Sequence, residues 1–348
     1  MTRRQTTDST RLAGFLRVVN AHPGRLLIIC HHFPDPDCIA AALGVQAMLR
    51  HAAKREADLY CGSSLGRPEN KAMVGILDIA FVEPEDVGAG TYAAAIMVDT
   101  QPFAGNNTPP EGVPVIAVFD HHEPPERKQD AAWLDVREDA GCTSSMICSY
   151  LNISGTPIDN RLATALFLGI RTDTANLERD YAVADITWYE RLLPLVDRSI
   201  MGLVIHPKMP EGYFALLRQA LDEARRYDDV VVCNMGALPA PDLLSEISEL
   251  FMRLKGINWS LATGVYENRL MLSMRAGPGR KAGSALMESC QGITARVGGH
   301  GRSAGGMVLC ASFEEAQGIA DRICAGFVAD RGVSAAGPRP ICIASESM

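Results

Sequence analysis

The chain has 348 residues, of which 47% are hydrophobic and 21% charged, and its formal net charge is −8. This length is sufficient for two domains with separate cores, and the negative charge argues against broad, nonspecific binding to long nucleic acid. The apolar stretch at residues 12–19 is broken by Arg17 and no apolar run is long enough to cross a bilayer, so we expect neither a secretory signal nor a membrane span.

The first half of the chain alternates strand-like and helix-like segments. Strands are predicted at residues 26–30, 57–61, 93–98 and 115–119, and helices at about 38–49, 144–151, 159–170 and 182–195. Such alternation favours an α/β fold whose N-terminal part is a doubly wound, mostly parallel sheet with helices on both faces.

The second half has a different pattern. Residues 200–210 lose clear periodicity and contain two prolines, and a helix is predicted at 211–226. Strands follow at 230–233, 261–265 and 270–274, with a helix at 243–254 and a hairpin turn at 266–269. We therefore predict a first domain over 1–205, a linker helix within 206–228, a smaller α+β domain over 229–332 and a poorly ordered tail at 333–348.

Acidic residues and histidines fall where three of the predicted strands end. In an open α/β sheet, ligands collect outside the carboxyl ends of the strands, so these ends are expected to converge on one crevice. Carboxylates and imidazoles packed so closely repel each other or lose solvation unless a cation lies among them. The sequence therefore predicts a metal site formed by residues His31, Asp35, Asp37, Asp99, Asp120, His121 and His122.

The first of these motifs has two readings. Asp35 and Asp37 alternate around a proline, and both carboxylates can point from one extended turn, with His31 closing the strand before them. Mn²⁺ and Mg²⁺ accept carboxylate oxygen, and an imidazole ligand favours Mn²⁺. The alternative is a polar turn in which Asp37 caps the following helix.

The run Asp120-His121-His122 is more specific, because two adjacent histidines behind an aspartate need compensation for their lost solvation. Asp120 is best placed as an acceptor that fixes a histidine tautomer. Asp173 ends a predicted helix and is a further potential ligand, although it could also be a solvated helix terminus.

A late glycine-rich segment, residues 298–306, precedes an apolar run. Glycines let backbone N–H groups approach an anion closely, and His300 and Arg302 could add positive charge. The alternative is a flexible turn.

Together these motifs resemble the DHH phosphoesterase family, over about residues 20 to 330. Within it the chain is similar to the NrnA-type branch of oligoribonucleases and phosphatases, which is related to RecJ and in which a DHH domain precedes a DHH-associated substrate-binding domain. The motifs that carry the resemblance are His31-x-x-Pro34-Asp35-x-Asp37, Asp99, Asp120-His121-His122, Gly169-x-x-Thr172-Asp173 and the Gly-Gly-His segment at 298–300.

The resemblance implies a role for each matching residue. One Mn²⁺ would be held by His31, Asp35 and Asp99, and a second by Asp37, Asp99, His121 and Asp173, so that Asp99 bridges the two. Asp120 would orient a ligand and His122 would face the scissile phosphate. Substrate would be gripped in a cleft between the domains by Arg275 and His300, with Gly298, Gly299 and Arg302 beside them; Thr143 and Ser144 are a weaker match. Val297 and Ser303 depart from the family pattern, which bears on substrate preference.

The activity so implied is a two-metal phosphoesterase that hydrolyses short oligonucleotides to nucleoside 5′-monophosphates, or 3′-phosphoadenosine 5′-phosphate, or both. Two other kinds of function stay open. One is a linear or cyclic dinucleotide phosphodiesterase, pyrophosphatase or polyphosphatase of the same superfamily; the other is a metal-dependent nucleotide-binding regulator without turnover. We expect neither long double-stranded nucleic acid nor a membrane as a partner, and a homodimer is possible. We expect a cytoplasmic location because the ten cysteines form no CxxC pair.

Overall fold

The structure is a computed structural model that describes residues 3–88, 90–127, 130–332 and 337–341, and for residues 3–6 and His300 it describes the backbone only. The chain forms two compact units, Met1–Pro207 and Lys208–Met348. None of the described helices combines the length and apolarity that a membrane crossing requires.

The first unit alternates strands and helices over most of its length. Its elements are α1 (Arg3–Asn20), β1 (Leu26–Ile29), α2 (Pro36–Met48), β2 (Ala57–Tyr60), α3 (Pro68–Ile76), β3 (Phe81–Val82), β4 (Ala94–Val98), β5 (Val115–Asp120), β6 (Trp133–Val136), α4 (Thr143–Ser154), α5 (Asn160–Asp173), α6 (Val183–Leu192) and α7 (Arg198–Ile205).

The six strands of the first unit pair in the order β3-β2-β1-β4-β5-β6, and all the pairs are parallel. From β1 the chain moves outward through β2 to β3 and then returns to place β4 on the other side of β1. The order therefore reverses between β1 and β4, which is where a crevice opens at the carboxyl ends of the strands. The predicted doubly wound parallel sheet is confirmed.

Helix α2 begins immediately after the first motif. Asp35 is its N-cap, and its Oδ1 accepts hydrogen bonds from the backbone N–H groups of Asp37 and Cys38, both at 3.0 Å. Pro36 occupies the first turn, where a missing N–H is tolerated. The alternative in which Asp37 caps this helix is therefore wrong: Asp35 is the cap, and Asp37 is the second residue of the helix and is fully buried.

Helix α1 and strand β6 were not predicted, and they support each other. The Phe15 ring lies 5.0 Å from that of Phe119 and 5.3 Å from that of Trp133. Arg137, just after β6, joins α1 to the sheet: its guanidinium contacts Asp8 Oδ1 at 2.8 Å and Asp135 Oδ2 at 2.6 Å. Because all the charged members of this network are buried, the ion pairs fix α1 against the sheet edge.

The second unit is a smaller α+β unit built on one mixed sheet. Its elements are α8 (Glu211–Glu223), β7 (Arg225–Tyr227), β8 (Val230–Ala237), α9 (Leu243–Phe251), β9 (Trp259–Tyr266), β10 (Arg269–Ala276), α10 (Ala282–Ser289), β11 (Ala295–His300), β12 (Ser303–Leu309), α11 (Phe313–Asp330) and β13 (Arg339–Pro340). The strand order is β11-β12-β10-β9-β8-β7-β13, in which only β8 and β9 are parallel. The prediction of a smaller α+β fold for the second half of the chain is confirmed.

Three features of this unit differ from the expected pattern. The helix predicted as a linker, α8, contributes Leu216 and Ala220 to a hydrophobic cluster with β8. Within the tail, β13 pairs with β7, so residues 339–340 are part of the sheet. The glycine-rich segment at 298–306 is an antiparallel hairpin of β11 and β12 rather than an open loop, because its backbone groups pair in register with each other and with β10.

Candidate metal centre

The predicted ligands lie where the fold of the first unit concentrates them. His31 follows β1, Asp99 follows β4, and Asp120 ends β5 directly before His121 and His122. Asp37 lies in the first turn of α2, and Asp173 is the last residue of α5. Asp99 has a φ of +58°, a left-handed conformation that aspartate and asparagine adopt more readily than most residues.

Asp99 is at the centre of the cluster and is almost fully buried. Its Oδ2 lies 3.4 Å from His31 Nε2 and its Oδ1 lies 3.5 Å from His121 Nε2. The hydroxyl of Thr143 donates to Oδ1 at 2.8 Å. His121 Nε2 also lies 3.2 Å from Asp173 Oδ2. One carboxylate thus faces two imidazoles from two directions.

The orientation of the two histidines is fixed by backbone carbonyls. Nδ1 of His31 lies 2.9 Å from the carbonyl oxygen of His32, and Nδ1 of His121 lies 3.3 Å from that of Ala140. A carbonyl can only accept, so each Nδ1 carries the proton and donates it. In the neutral imidazole the lone pair is then on Nε2, which points at the carboxylates.

Asp37 is held by the N-terminus of α4. Its Oδ2 accepts from the backbone N–H of Thr143 at 2.7 Å, and its Oδ1 accepts from that of Ser144 at 2.8 Å. The positive end of the helix dipole favours the carboxylate. Ser144 lies so close to α5 that a Cβ on Gly169 would come within 2.3 Å of the serine Oγ. The structure therefore gives Thr143 and Ser144 contacts with the predicted ligands themselves.

Asp120 and His122 form a second pair at the edge of the cluster. Nδ1–H of His122 donates to Asp120 Oδ1 at 2.8 Å, and the same oxygen accepts the backbone N–H of His121 at 2.8 Å. The amide of Gln101, which the sequence did not single out, donates to the His122 carbonyl at 3.0 Å. Asp120 is buried, whereas the His122 side chain is 44% exposed. Asp120 therefore orients the ring of His122 through its Nδ1.

Burial and neighbouring charges shift the pKa values of the clustered aspartates. Burial, together with the charges of Asp99 and Asp173, raises the pKa of Asp37 well above its ordinary value. Burial also raises the pKa of Asp173, against the opposing effect of His121. Burial acts in the same direction on Asp120, but the hydrogen bond and charge of His122 outweigh it and lower the pKa. Protonation of a carboxylate is one way to reduce the negative charge here, and a cation is another.

The imidazoles show the complementary effect. Burial lowers the pKa of His121, but Asp173, Asp99 and Asp37 outweigh it, so that its pKa rises well above the ordinary value. The pKa of His31 is raised well above its ordinary value in the same way, against burial, by Cys38, Asp35 and Asp99. The cluster therefore attracts positive charge to the Nε2 atoms.

The donor set fits two divalent cations. Three groups of donor atoms lie within 4.8 Å of one another, namely His31 with Cys38 and Asp99, Asp99 with His121 and His122, and Asp37 with His121 and Asp173. Adjacent ligands of an octahedral ion with bonds of about 2.1 Å are about 3 Å apart, close to the separations between the Nε2 and carboxylate oxygen atoms. Four carboxylates, Asp35, Asp37, Asp99 and Asp173, would be neutralised by two divalent cations.

Cys38 is the member of these groups that the sequence did not indicate. Its thiol donates to the carbonyl of Val98 at 3.4 Å, and burial raises its pKa well above the ordinary value. A neutral thiol is a poor ligand for a hard cation, so the oxygen and imidazole donors are the better set.

The remaining predicted site residues lie in the second unit. Arg275 on β10 contacts Glu249 Oε1 at 3.0 Å. The sheet register pairs Ser303 with Arg275 on one side and with His300 on the other, and Gly298 and Gly299 lie further along β11. Arg302 lies at the hairpin turn, and the His300 side chain is outside the described part of the structure.

Comparison with known proteins shows which domain family the first unit resembles. Residues 25–170 match the DHH family N-terminal domain. An uncharacterized protein of Methanocaldococcus jannaschii is 27% identical over 251 residues, which are 72% of this chain and 52% of that protein. This chain therefore spans about half the length of the curated relative it matches.

Solved structures support the fold. An exopolyphosphatase-related protein from Bacteroides fragilis has a TM-score of 0.70 at 15% identity, covering 92% of this chain and 97% of its own. A pGpG-specific phosphodiesterase from Vibrio cholerae has a TM-score of 0.29 at 11% identity, covering 87% and 99%. The former establishes a shared two-domain fold, while the latter is too distant to support an argument.

Within the first unit, residues 25–170 are therefore similar to the DHH family N-terminal domain. The acidic and histidine clusters of this unit could hold divalent metal ions.

Proposed function

We propose that the protein is a two-metal phosphoesterase of the NrnA type. Its substrates would be short oligonucleotides, cleaved to nucleoside 5′-monophosphates, or 3′-phosphoadenosine 5′-phosphate, or both. The observation that carries the proposal is the arrangement around Asp99, whose two oxygens face the Nε2 atoms of His31 and His121. Lone pairs aimed at a shared carboxylate are repulsive unless positive charge lies between them.

The residues divide into two ligand sets that share Asp99. His31 and Asp35 would complete the first set, and Asp37, His121 and Asp173 the second, with Mn²⁺ favoured over Mg²⁺ by the imidazoles. Two bound cations would polarise the phosphoryl group and ease deprotonation of the attacking water. Asp35 supports this role because its Oδ1 lies 3.9 Å from His31 Nε2 while it also caps α2.

His122 would act on the leaving group. Asp120 holds its Nδ1–H, so the other ring nitrogen is presented from a half-exposed side chain. Asp120 helps to raise the pKa of His122 above its ordinary value, against burial and the charge of His121. A protonated imidazole can donate its Nε2 proton to the departing oxygen or clamp a phosphate oxygen.

Recognition of the nucleotide is proposed for the second unit. The Arg275 guanidinium donates to Glu249 Oε1 through Nε and Nη2, and a substrate phosphate would replace that carboxylate as its partner. His300, Gly298, Gly299 and Arg302 are proposed to lie along the same substrate. The register supports a common location because Arg275 and His300 flank Ser303 on adjacent strands.

Two other functions stay as alternatives. A linear or cyclic dinucleotide phosphodiesterase, or a polyphosphatase or pyrophosphatase, would use the same metal ligands with a different grip on the substrate. A nucleotide-binding regulator would keep the metals without turnover. We propose a cytoplasmic location, which the nine free cysteines among the described residues fit, and a homodimer stays a prediction for solution scattering to test.

A side-by-side assay tests the proposal. Purified protein freed of metal would be given Mn²⁺, Mg²⁺ or EDTA with labelled di- to pentanucleotides, 3′-phosphoadenosine 5′-phosphate, cyclic dinucleotides and pyrophosphate. We expect metal-dependent release of mononucleotides from the short oligomers. Faster turnover of pyrophosphate or of a cyclic dinucleotide would replace the proposed substrate, and binding without turnover would favour the regulator.

A further inference from the structure

A buried carboxylate on α6 contacts a segment that holds two of the proposed metal ligands by hydrogen bonds, although it is not itself among those ligands. We infer that Asp185 is a positioning residue for the metal centre, holding residues 141–145 in the conformation that presents Asp37 and Asp99 to the cations. This inference rests on the proposed two-metal function.

The contacts of Asp185 converge on that segment. The side chain is fully buried. Its Oδ2 accepts the backbone N–H of Gly141 at 3.0 Å and that of Ala182 at 2.6 Å. Its Oδ1 accepts the Cys142 thiol at 3.4 Å and the hydroxyl of Ser145. Three of the four donors lie within five consecutive residues at the start of α4.

The same segment holds two proposed metal ligands on its other side. Thr143 donates its backbone N–H to Asp37 and its hydroxyl to Asp99, and Ser144 donates its N–H to Asp37. The start of α4 is therefore clamped between Asp185 and the ligand carboxylates. A shift of this turn would move the hydrogen bonds that orient Asp37 and Asp99.

The helix ends around Asp185 favour a carboxylate. Asp185 lies at the N-terminal ends of both α4 and α6, where partial positive charge from the helix dipoles favours an anion. The two backbone N–H groups on Oδ2 require an acceptor. An asparagine oxygen could take their place, with its NH₂ group toward the thiol and the Ser145 hydroxyl, which can turn to accept. Asp185→Asn therefore removes mainly the charge, whereas Asp185→Ala removes the charge and the hydrogen bonds.

Gly141 lies in close contact with the Asp185 carboxylate. A Cβ at this position would come within 2.5 Å of Asp185 Oδ2 and 2.6 Å of the Asp180 carbonyl oxygen. Glycine is therefore required for the carboxylate to reach the segment, and Gly141→Ala should displace the same contact from the opposite side.

The test is metal binding rather than activity alone. Isothermal titration of the metal-free full-length protein with Mn²⁺ would compare wild type with Asp185→Asn, Asp185→Ala and Gly141→Ala. Direct hydrogen-bond partners of metal ligands typically change affinity roughly 10- to 100-fold. Because Asp185 acts one contact further out, we expect a weakening of about tenfold in Asp185→Ala and Gly141→Ala and a smaller one in Asp185→Asn, with activity recovered at saturating Mn²⁺. Asp197→Asn is the matched control, because Asp197 caps α7 by accepting from Ser199 and Ile200. It should melt at a lower temperature without a change in Mn²⁺ affinity.

If the Asp185 variants fail to fold, Ser145→Ala retains the carboxylate and removes one donor, and it should still weaken Mn²⁺ binding. Unchanged Mn²⁺ affinity in the folded variants, with a lower melting temperature as the only effect, would overturn the inference. If wild type binds two Mn²⁺ ions but cleaves no phosphate ester, the proposed function fails while the affinity comparison still decides the role of Asp185.

Discussion

Replacing Asp99 with asparagine tests the metal centre most directly, because Asp99 belongs to both ligand sets. Asparagine tolerates the φ of +58° at this position, whereas alanine would add backbone strain. The amide oxygen can still accept from the Thr143 hydroxyl, which lies 2.8 Å from Asp99 Oδ1. The substitution thus removes one charge and the bridging ligand without opening a cavity.

The expected magnitude follows from linkage. In the absence of metal, the variant loses one of the charges that raise the pKa values of Asp37 and Asp173, and it also loses a charge that favours protonated His121. These two effects oppose each other, so its free energy of unfolding should stay close to that of wild type. Each cation at 100 times its Kd stabilises the folded state by about 2.7 kcal/mol, or about 5 kcal/mol for two. For a unit of this size, that gain corresponds to a rise in Tm of about 10 to 20 °C.

Calorimetric melts with EDTA and with Mn²⁺ measure both quantities. Wild type should show the full rise in Tm, and Asp99→Asn should show little or none and no turnover. Asp159→Asn is a suitable control, because Asp159 caps α5 by accepting from Leu162 at 2.8 Å and should retain the Mn²⁺-dependent rise. A rise in Asp99→Asn equal to that of wild type, with activity retained, would refute the bridging role.

The metal-free protein should lose stability as pH rises. The folded state holds protons on Asp37, Asp173 and His121 at pH values where the unfolded state releases them. The resulting stabilisation is therefore complete below the ordinary pKa values of 3.8 and 6.5 and is lost as the pH rises through the raised pKa values of the folded state. A Tm that increases throughout the range from pH 5 to 9 in EDTA would contradict this prediction. Arg275→Ala should lower kcat/KM for a dinucleotide by roughly 10- to 100-fold, and it should lower kcat/KM for bis-p-nitrophenyl phosphate far less. Arg275→Lys should recover little of the activity on the dinucleotide. Equal losses on both substrates would assign the arginine to the chemical step. Gly169→Ala forces a Cβ to within 2.3 Å of a hydroxyl on α4, and we expect a loss of about 1–3 kcal/mol in unfolding free energy together with weaker Mn²⁺ binding, both measurable by titration and melting. Oligomers of two to five nucleotides should be degraded much faster than a long strand; equal rates would indicate an open, processive groove.

The centre could be predicted because its signals are local. The apolar runs that became β1, β4 and β5 are bounded within one or two residues of the predicted limits, and the polar residues directly after them became the cluster. Parallel strands bring their carboxyl ends to one edge, so the sequence order of the ligands was sufficient to predict that they meet.

The elements that were missed depend on distant partners. Strand β6 is only four residues long and half of it is partly buried, and α1 gains its stability from contacts with β5 and β6. The glycines of β11 and β12 have low strand propensity, yet the register with β10 imposes a strand on them. Asp185 carries no local signal at all, since the residues it contacts lie more than 35 positions earlier along the chain, apart from Ala182.

The buried network between α1 and β6 has a consequence for how the protein is made. Asp8 and Arg137 are 129 residues apart in sequence. At a synthesis rate of about 5 to 20 residues per second, α1 would wait roughly 6 to 26 s after leaving the ribosome before its partner strand is translated. During that interval the apolar face with Phe15 has no sheet to cover it. A nascent chain paused between α1 and β6 therefore exposes this apolar face to solvent, which favours aggregation and chaperone binding.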